Sequence, residues 1–119
     1  MITFEKVTVE NESVVKEMFK SHSLDEKKVQ YCVKVDDTYI GVIDYSVQEE
    51  RAVLSQLIIH FDYQGYGYGA NTYFTFEEMM KQRNVKEIKV LQEELTEKAK
   101  SFIESLGFTS EDEEYVKKI

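Results

Sequence analysis

Leu57-Ile58-Ile59-His60-Phe61-Asp62-Tyr63-Gln64-Gly65-Tyr66-Gly67-Tyr68-Gly69 is the stretch on which the reading of this 119-residue chain turns. Its first three residues are apolar at consecutive positions, which suits a central strand covered on both faces rather than one with a wet face. Its end holds three of the chain's five glycines. Glycine has no Cβ, so backbone N–H groups can turn toward one point, and a helix starting there adds about half a positive charge through its dipole. The combination is an anion cradle, most naturally for a pyrophosphate. The spacing is G-x-G-x-G, with no parallel βαβ unit around it and no Gly-Lys-Ser/Thr after it, so neither the dinucleotide fold nor the P-loop fits. On the glycines alone, a plain flexible turn is an equal alternative.

Downstream of the glycines, Tyr73, Phe76 and Met80 share one face of a helix of about 15 residues ending near Arg83, with Phe74 and Met79 alongside. Asn84 suits its C-terminal cap. Residues 86–91 read as a short strand with Ile88 and Val90 on one side. Leu95, Ala99, Phe102, Ile103 and Leu106 then outline an amphipathic helix closed by Gly107. Tyr115, Val116 and Ile119 suggest one last strand after an acidic turn over residues 111–114.

Upstream, residues 52–59 form the apolar strand, preceded by a charged turn at Gln48-Glu49-Glu50-Arg51 and a β-rich run over residues 39–47 with Gly41 inside it. Val29, Tyr31, Val33 and Val35 alternate with Gln30, Cys32, Lys34 and Asp36, the pattern of a half-buried strand, and Asp36-Asp37 makes a tight turn. Strands two to four therefore read as an antiparallel meander. Residues 1–9 read as a first strand, irregular near Glu5-Lys6, and Asn11 as the N-cap of a short helix carrying Val14, Val15, Met18 and Phe19. A polar stretch over residues 21–28 follows. The order β-α-β-β-β-α-β-α-β predicts an α+β (mixed α/β) domain with a central, mostly antiparallel sheet and helices on both faces.

Composition excludes several classes. The chain carries 15 basic and 23 acidic residues, a formal charge of −8, and offers no basic stripe for phosphate backbones, so no nucleic-acid partner is expected. No apolar run approaches the ~18 residues of a membrane span and no signal-peptide pattern opens the chain, so no membrane partner and a cytoplasmic location are expected. One cysteine, Cys32, and two unrelated histidines, His22 and His60, give no disulfide and no metal site. With 42% hydrophobic residues and no linker or repeat, residues 1–119 are expected to form one domain.

The quoted stretch resembles the acyl-CoA signature of the GNAT superfamily of N-acetyltransferases: an apolar strand, an acidic-aromatic approach, then Gln/Arg-x-x-Gly-x-Gly/Ala opening a helix. Ala99-Lys100-Ser101-Phe102-Ile103-Glu104-Ser105-Leu106-Gly107-Phe108 is similar to the family's second signature, a helix ending in Gly-Phe. The resemblance implies acetyl-CoA as acyl donor. It also implies that backbone groups of Leu57, Ile58 and Ile59 bond the pantetheine arm, which requires a strand splayed from its neighbour. The N–H groups of Gln64, Gly65, Tyr66, Gly67, Tyr68 and Gly69 would hold the pyrophosphate. One strand amide near Ile58 or Ile59 would stabilise the oxyanion of the tetrahedral intermediate.

The chain departs from the family where protons move. The family's usual asparagine, whose amide touches pantetheine, is Thr96 here, which can still donate one hydrogen bond and cap its helix. The usual tyrosine, the general acid, is Ile103, which transfers no proton. An acidic residue often found on strand five falls at Leu91, with Glu93 and Glu94 beyond it. His60 lies at the strand end with a pKa range that suits a base, although such a histidine is more often a surface or capping residue. Cys32 reads as a packed strand residue rather than a nucleophile. The expected reaction is direct attack of an amine on acetyl-CoA in a ternary complex, driven by positioning and oxyanion stabilisation. The alternative is a non-catalytic acyl-CoA-binding or regulatory module. The acidic surface favours a cationic small-molecule amine or a basic peptide as acceptor. Only residues 10–28 remain to wall the acceptor site, which leaves it open or completed by a second copy in a homodimer.

Overall fold

The computed structural model describes residues 1–20, 29–93 and 95–119. The polar stretch over residues 21–28 and the acidic candidate Glu94 lie outside the described residues. The elements are β1 (Ile2–Lys6), α1 (Glu12–Phe19), β2 (Tyr31–Val35), β3 (Thr38–Gln48), β4 (Arg51–Ile59), a 3-10 turn (Phe61–Tyr63), α2 (Tyr68–Gln82), β5 (Glu87–Leu91), α3 (Glu97–Ser105), β6 (Thr109–Glu111) and β7 (Glu114–Lys118). The strands form a seven-stranded mixed sheet in the order β1-β2-β3-β4-β5-β7-β6. Neighbours β1 and β2, β2 and β3, β5 and β7, and β6 and β7 are antiparallel, while β4 and β5 are parallel. Contrary to the sequence expectation, the glycine loop therefore does lie within a parallel strand–helix–strand unit, β4–α2–β5, so its spacing alone sets it apart from the dinucleotide-binding loop. The fold is mixed α+β, as the sequence predicts.

By contact density the chain comprises two units, Met1–Asp44 with Gln56–Thr75 and Tyr45–Ser55 with Phe76–Ile119. In the first, Val15 and Met18 of α1 pack with Val29, Cys32 and Val42, and Val7, Val14, Tyr39 and Ile58 close around them. In the second, Phe76, Met80, Val85, Ile88, Val90, Ile103, Leu106, Phe108, Tyr115 and Val116 are buried, and Tyr45 lies against Phe76 with ring centroids 5.0 Å apart. The faces read from spacing in α2 and α3 are thus the faces that apolar burial selects.

The structure corrects four local expectations. The chain ends in a hairpin, β6 and β7, around Asp112-Glu113, and not in a single strand. Asp112 takes the left-handed conformation there, at φ 56°. The Thr-Ser-Glu sequence of β6 is wholly exposed and carries no apolar period, so only its pairing with β7 makes it a strand. In β2, Cys32 and Val33 are both buried, and a register irregularity follows Val33, so the strand is covered on both faces rather than one. Asn11 occupies the N-cap position of α1, yet its side chain does not cap. It turns back instead: Oδ1 accepts from the Thr8 N–H at 2.7 Å, and Nδ2 donates to the Lys6 carbonyl and Glu5 Oε2. In the run Leu57-Ile58-Ile59 that ends β4, Leu57 and Ile58 are half-buried and Ile59 alone is buried, so this run is less covered than its composition suggests.

Candidate functional site

The site builds from the far end of β4. The parallel ladder to β5 has three rungs, Arg51↔Glu87, Ala52↔Ile88 and Val53↔Lys89, and β4 continues past its last rung to Ile59. On the β3 side the fit is backbone to backbone. A Cβ at Gly41 would stand 2.2 Å from the Ile58 carbonyl oxygen and 3.2 Å from Ile59 Cα. Only glycine allows that approach, and a lone glycine in a strand is the sequence signal of such a contact. Beyond β4 the His60 N–H donates to the Ile40 carbonyl at 2.8 Å, so the strand end is anchored on β3.

The loop to α2 is built on two left-handed glycines, Gly65 at φ 87° and Gly67 at φ 82°. A Cβ at either meets nothing within 4 Å, so backbone conformation and not crowding reserves these positions. The Asn71 N–H bonds back to the Gly67 carbonyl at 3.0 Å. The N–H groups ahead of it, at Tyr68, Gly69 and Ala70, lie in the opening turn of α2, where no intrahelical acceptor exists. Bare backbone, exposed surface and the positive end of a 15-residue helix therefore coincide at residues 65–69. A phosphate-bearing ligand fits this donor set.

Gln64 takes a different part from the one expected. Its N–H donates to the Phe61 carbonyl at 3.3 Å, closing the 3-10 turn, and its side-chain Nε2 donates to the Ile59 carbonyl at 2.8 Å. His60 caps the same turn: Nδ1 accepts from the Asp62 N–H at 3.2 Å. Nδ1 also lies 3.7 Å from Asp62 Oδ2, so this ring nitrogen is engaged within the turn. His60 therefore acts as a capping residue. Tyr66 stands 73% exposed with its ring 6.3 Å from Tyr68.

The residues of the second signature lie in the second unit. Thr96 is the N-cap of α3, its Oγ1 accepting from the Ala99 N–H at 3.1 Å. Ile103 is buried in α3, and Leu91, at the end of β5, is 56% exposed. Glu93 is exposed. The C-terminus of α3 is fixed by Gly107 at φ 100° and by Lys117, whose Nζ donates to the Leu106 carbonyl at 2.8 Å and pairs with Glu77 at 2.6 Å. Cys32 is fully buried and desolvation pushes its thiol up to about 11, which leaves it unreactive. Among the described residues no cluster of three or more His, Cys, Asp or Glu could hold a metal ion, and no helix is long and apolar enough to cross a membrane.

Residues 2–119 match the family model for the acetyltransferase (GNAT) domain. The chain belongs to the GNAT acetyltransferase family. No curated protein matches it by sequence. Among solved structures, this GNAT chain is similar to an acetyltransferase from Thermus thermophilus, with 18% identity, a TM-score of 0.81 and coverage of 100% of this chain and 97% of the other. It is also similar to the PaiA N-acetyltransferase of Thermoplasma acidophilum in complex with coenzyme A, at 16% identity and TM-score 0.73, covering 100% and 99% of the two chains. A third is Arabidopsis thaliana Naa50 in complex with the bisubstrate analogue CoA-Ac-MVNAL, at 18% identity and TM-score 0.67, covering 97% and 95%. At these identities the likeness is one of fold.

Proposed function

We propose that residues 1–119 form one acyl-CoA-binding domain that transfers the acetyl group of acetyl-CoA to an amine by direct attack in a ternary complex. The observation that carries this reading is the end of β4: backbone continuing past its last β5 rung, joined through two left-handed glycines to the start of α2. The coenzyme A complexes formed by structurally similar proteins support acetyl-CoA as the donor. When bound, acetyl-CoA supplies the acetyl group as a thioester with a tolerable leaving group.

The chain's own residues do the rest. The N–H groups from Gly65 to Gly69 hold the pyrophosphate, and Leu57, Ile58 and Ile59 offer backbone groups to the pantetheine arm. Thr96 spends its oxygen on its helix cap, and its hydroxyl proton remains for a ligand. An N–H at Ile58 or Ile59 faces the charge that develops on the carbonyl oxygen. A cationic acceptor first gives its ammonium proton to water; the neutral amine then adds to the carbonyl carbon, and collapse of the oxyanion breaks the C–S bond so that sulfur leaves as thiolate. With Ile103 and Leu91 at the positions where the family moves protons, the amine proton passes to water. The acidic chain, of formal charge −8, favours a cationic small amine or a basic peptide as acceptor. A second copy could complete the acceptor wall.

Calorimetry with CoA at about millimolar concentration tests the binding half. Gly67→Val, which forces a β-branched residue to φ 82°, is expected to weaken CoA more than about tenfold. Absence of CoA binding by the wild type would sink the reading. A thiol-release assay over a panel of amines tests the transfer half. The apolar Ile103 and Leu91, with the engaged Nδ1 of His60, favour one alternative: CoA binding without turnover for any amine would make the chain a non-catalytic acyl-CoA-binding module.

A further inference from the structure

One side chain joins the two halves of the candidate site. The Ile59 carbonyl can only accept, so the Gln64 atom 2.8 Å from it is the amide nitrogen. The neighbouring bonds are local to the 3-10 turn: Tyr63 N–H to the His60 carbonyl at 2.9 Å and Gln64 N–H to the Phe61 carbonyl at 3.3 Å. The side-chain bond is of another kind. It runs from the residue immediately before the first left-handed glycine, Gly65, back to the last residue of β4. It therefore ties the strand end to the glycines, taking up one of the two lone pairs of the Ile59 carbonyl.

We propose that Gln64 is a positioning residue that couples the glycine loop to the end of β4. A ligand with a pyrophosphate at one end and an amide-bearing arm at the other is then met by both elements at a fixed separation. This rests on the acetyl-CoA reading above. Binding energy from one half reaches the other only if the two are held rigidly, because ordering them at the moment of binding costs affinity. Gln64→Met keeps the length of the side chain and removes the donor. Gln64→Arg keeps a donor within reach.

The test compares two probes on the full chain by calorimetry: CoA, and 3′-phosphoadenosine 5′-diphosphate, which has the pyrophosphate and lacks the pantetheine arm. Gln64→Met is expected to weaken CoA about three- to tenfold, the worth of one hydrogen bond, and to leave the nucleotide within about twofold. Gln64→Arg adds a charge that favours both probes alike, and is expected to restore the wild-type ratio of CoA to nucleotide affinity. Equal losses for both probes at an unchanged melting temperature would mean that Gln64 touches the pyrophosphate itself, and equal losses with a lowered melting temperature would mean a general structural part. Either result, or unchanged CoA affinity, overturns the coupling while wild-type CoA binding stands. A wild-type chain that binds neither probe overturns the acetyl-CoA reading and the coupling with it.

Discussion

The end of β4 with its glycine loop, and the α3–β7 region near the C-terminus, both match a family signature, yet they are built on opposite principles. In the first, side chains are absent where backbone must approach: Gly41 under the Ile58 carbonyl, Gly65 and Gly67 in left-handed conformations. In the second, side chains fill the positions: Thr96 caps α3, Ile103 is buried within it, and Lys117 ties its end to Glu77. One signature retains the bare backbone on which the proposed cofactor contacts rest. The other retains the groups that hold a helix, and has lost its usual proton-transfer residue. A motif can thus persist for its chemistry in one place and for its fold in another.

Gly41→Ala should break the first region hardest. Its Cβ would lie 2.2 Å from a backbone oxygen that cannot rotate away, so we expect a loss of about 3 kcal/mol in urea unfolding, accompanied by lost CoA affinity. Retention of both would mean that the β3–β4 contact is not what shapes the strand end. Lys117→Met should break the second region and spare the first. Glu77, its side chain 11% exposed, would lose its 2.6 Å ion pair while Lys81 stays at 3.6 Å, and the expected cost is about 2 kcal/mol with CoA affinity unchanged. A matching loss of CoA affinity would erase the contrast between the regions.

The smallest effect concerns the first unit away from the loop. Tyr39 donates to Glu5, as does Asn11, and with Lys34 nearby these hold the Glu5 carboxyl below its ordinary value, while the same bond raises Tyr39. A lowered folded pKa contributes stability above the unfolded value of about 4.3, and that stability is lost as pH falls through the folded value. Tyr39→Phe should therefore be slightly less stable than wild type at neutral pH, and the gap should close in acid, with CoA binding unaffected throughout. Urea midpoints that differ by the same amount at every pH would assign the Tyr39 effect to packing instead.

Local rules made much of the chain legible. The period of Tyr73, Phe76 and Met80 gives the buried face of α2, and Asn84 at φ 63° and Gly107 at φ 100° end their helices as left-handed caps. Thr96 caps α3 as its residue type suggests. Asn11 shows where such rules stop, because partners in β1 and the β1–α1 loop outbid the helix for its side chain. The bond from Gln64 to Ile59 was likewise invisible, since Gln64 reads in sequence only as the first residue of a glycine motif.

The sequence by itself determined, among the described residues, every α-helix and all strands but Thr109–Glu111, the family resemblance and the place of the glycines. These depend on backbone preferences and periods within a few residues. Tertiary structure alone decided that Gly41 lies under Ile58, that Thr109–Glu111 pairs as a strand, and that His60 and Gln64 spend their side chains on the loop itself. Those outcomes depend on register and side-chain direction, which are fixed only when residues distant in sequence compete for the same space and the same hydrogen bonds.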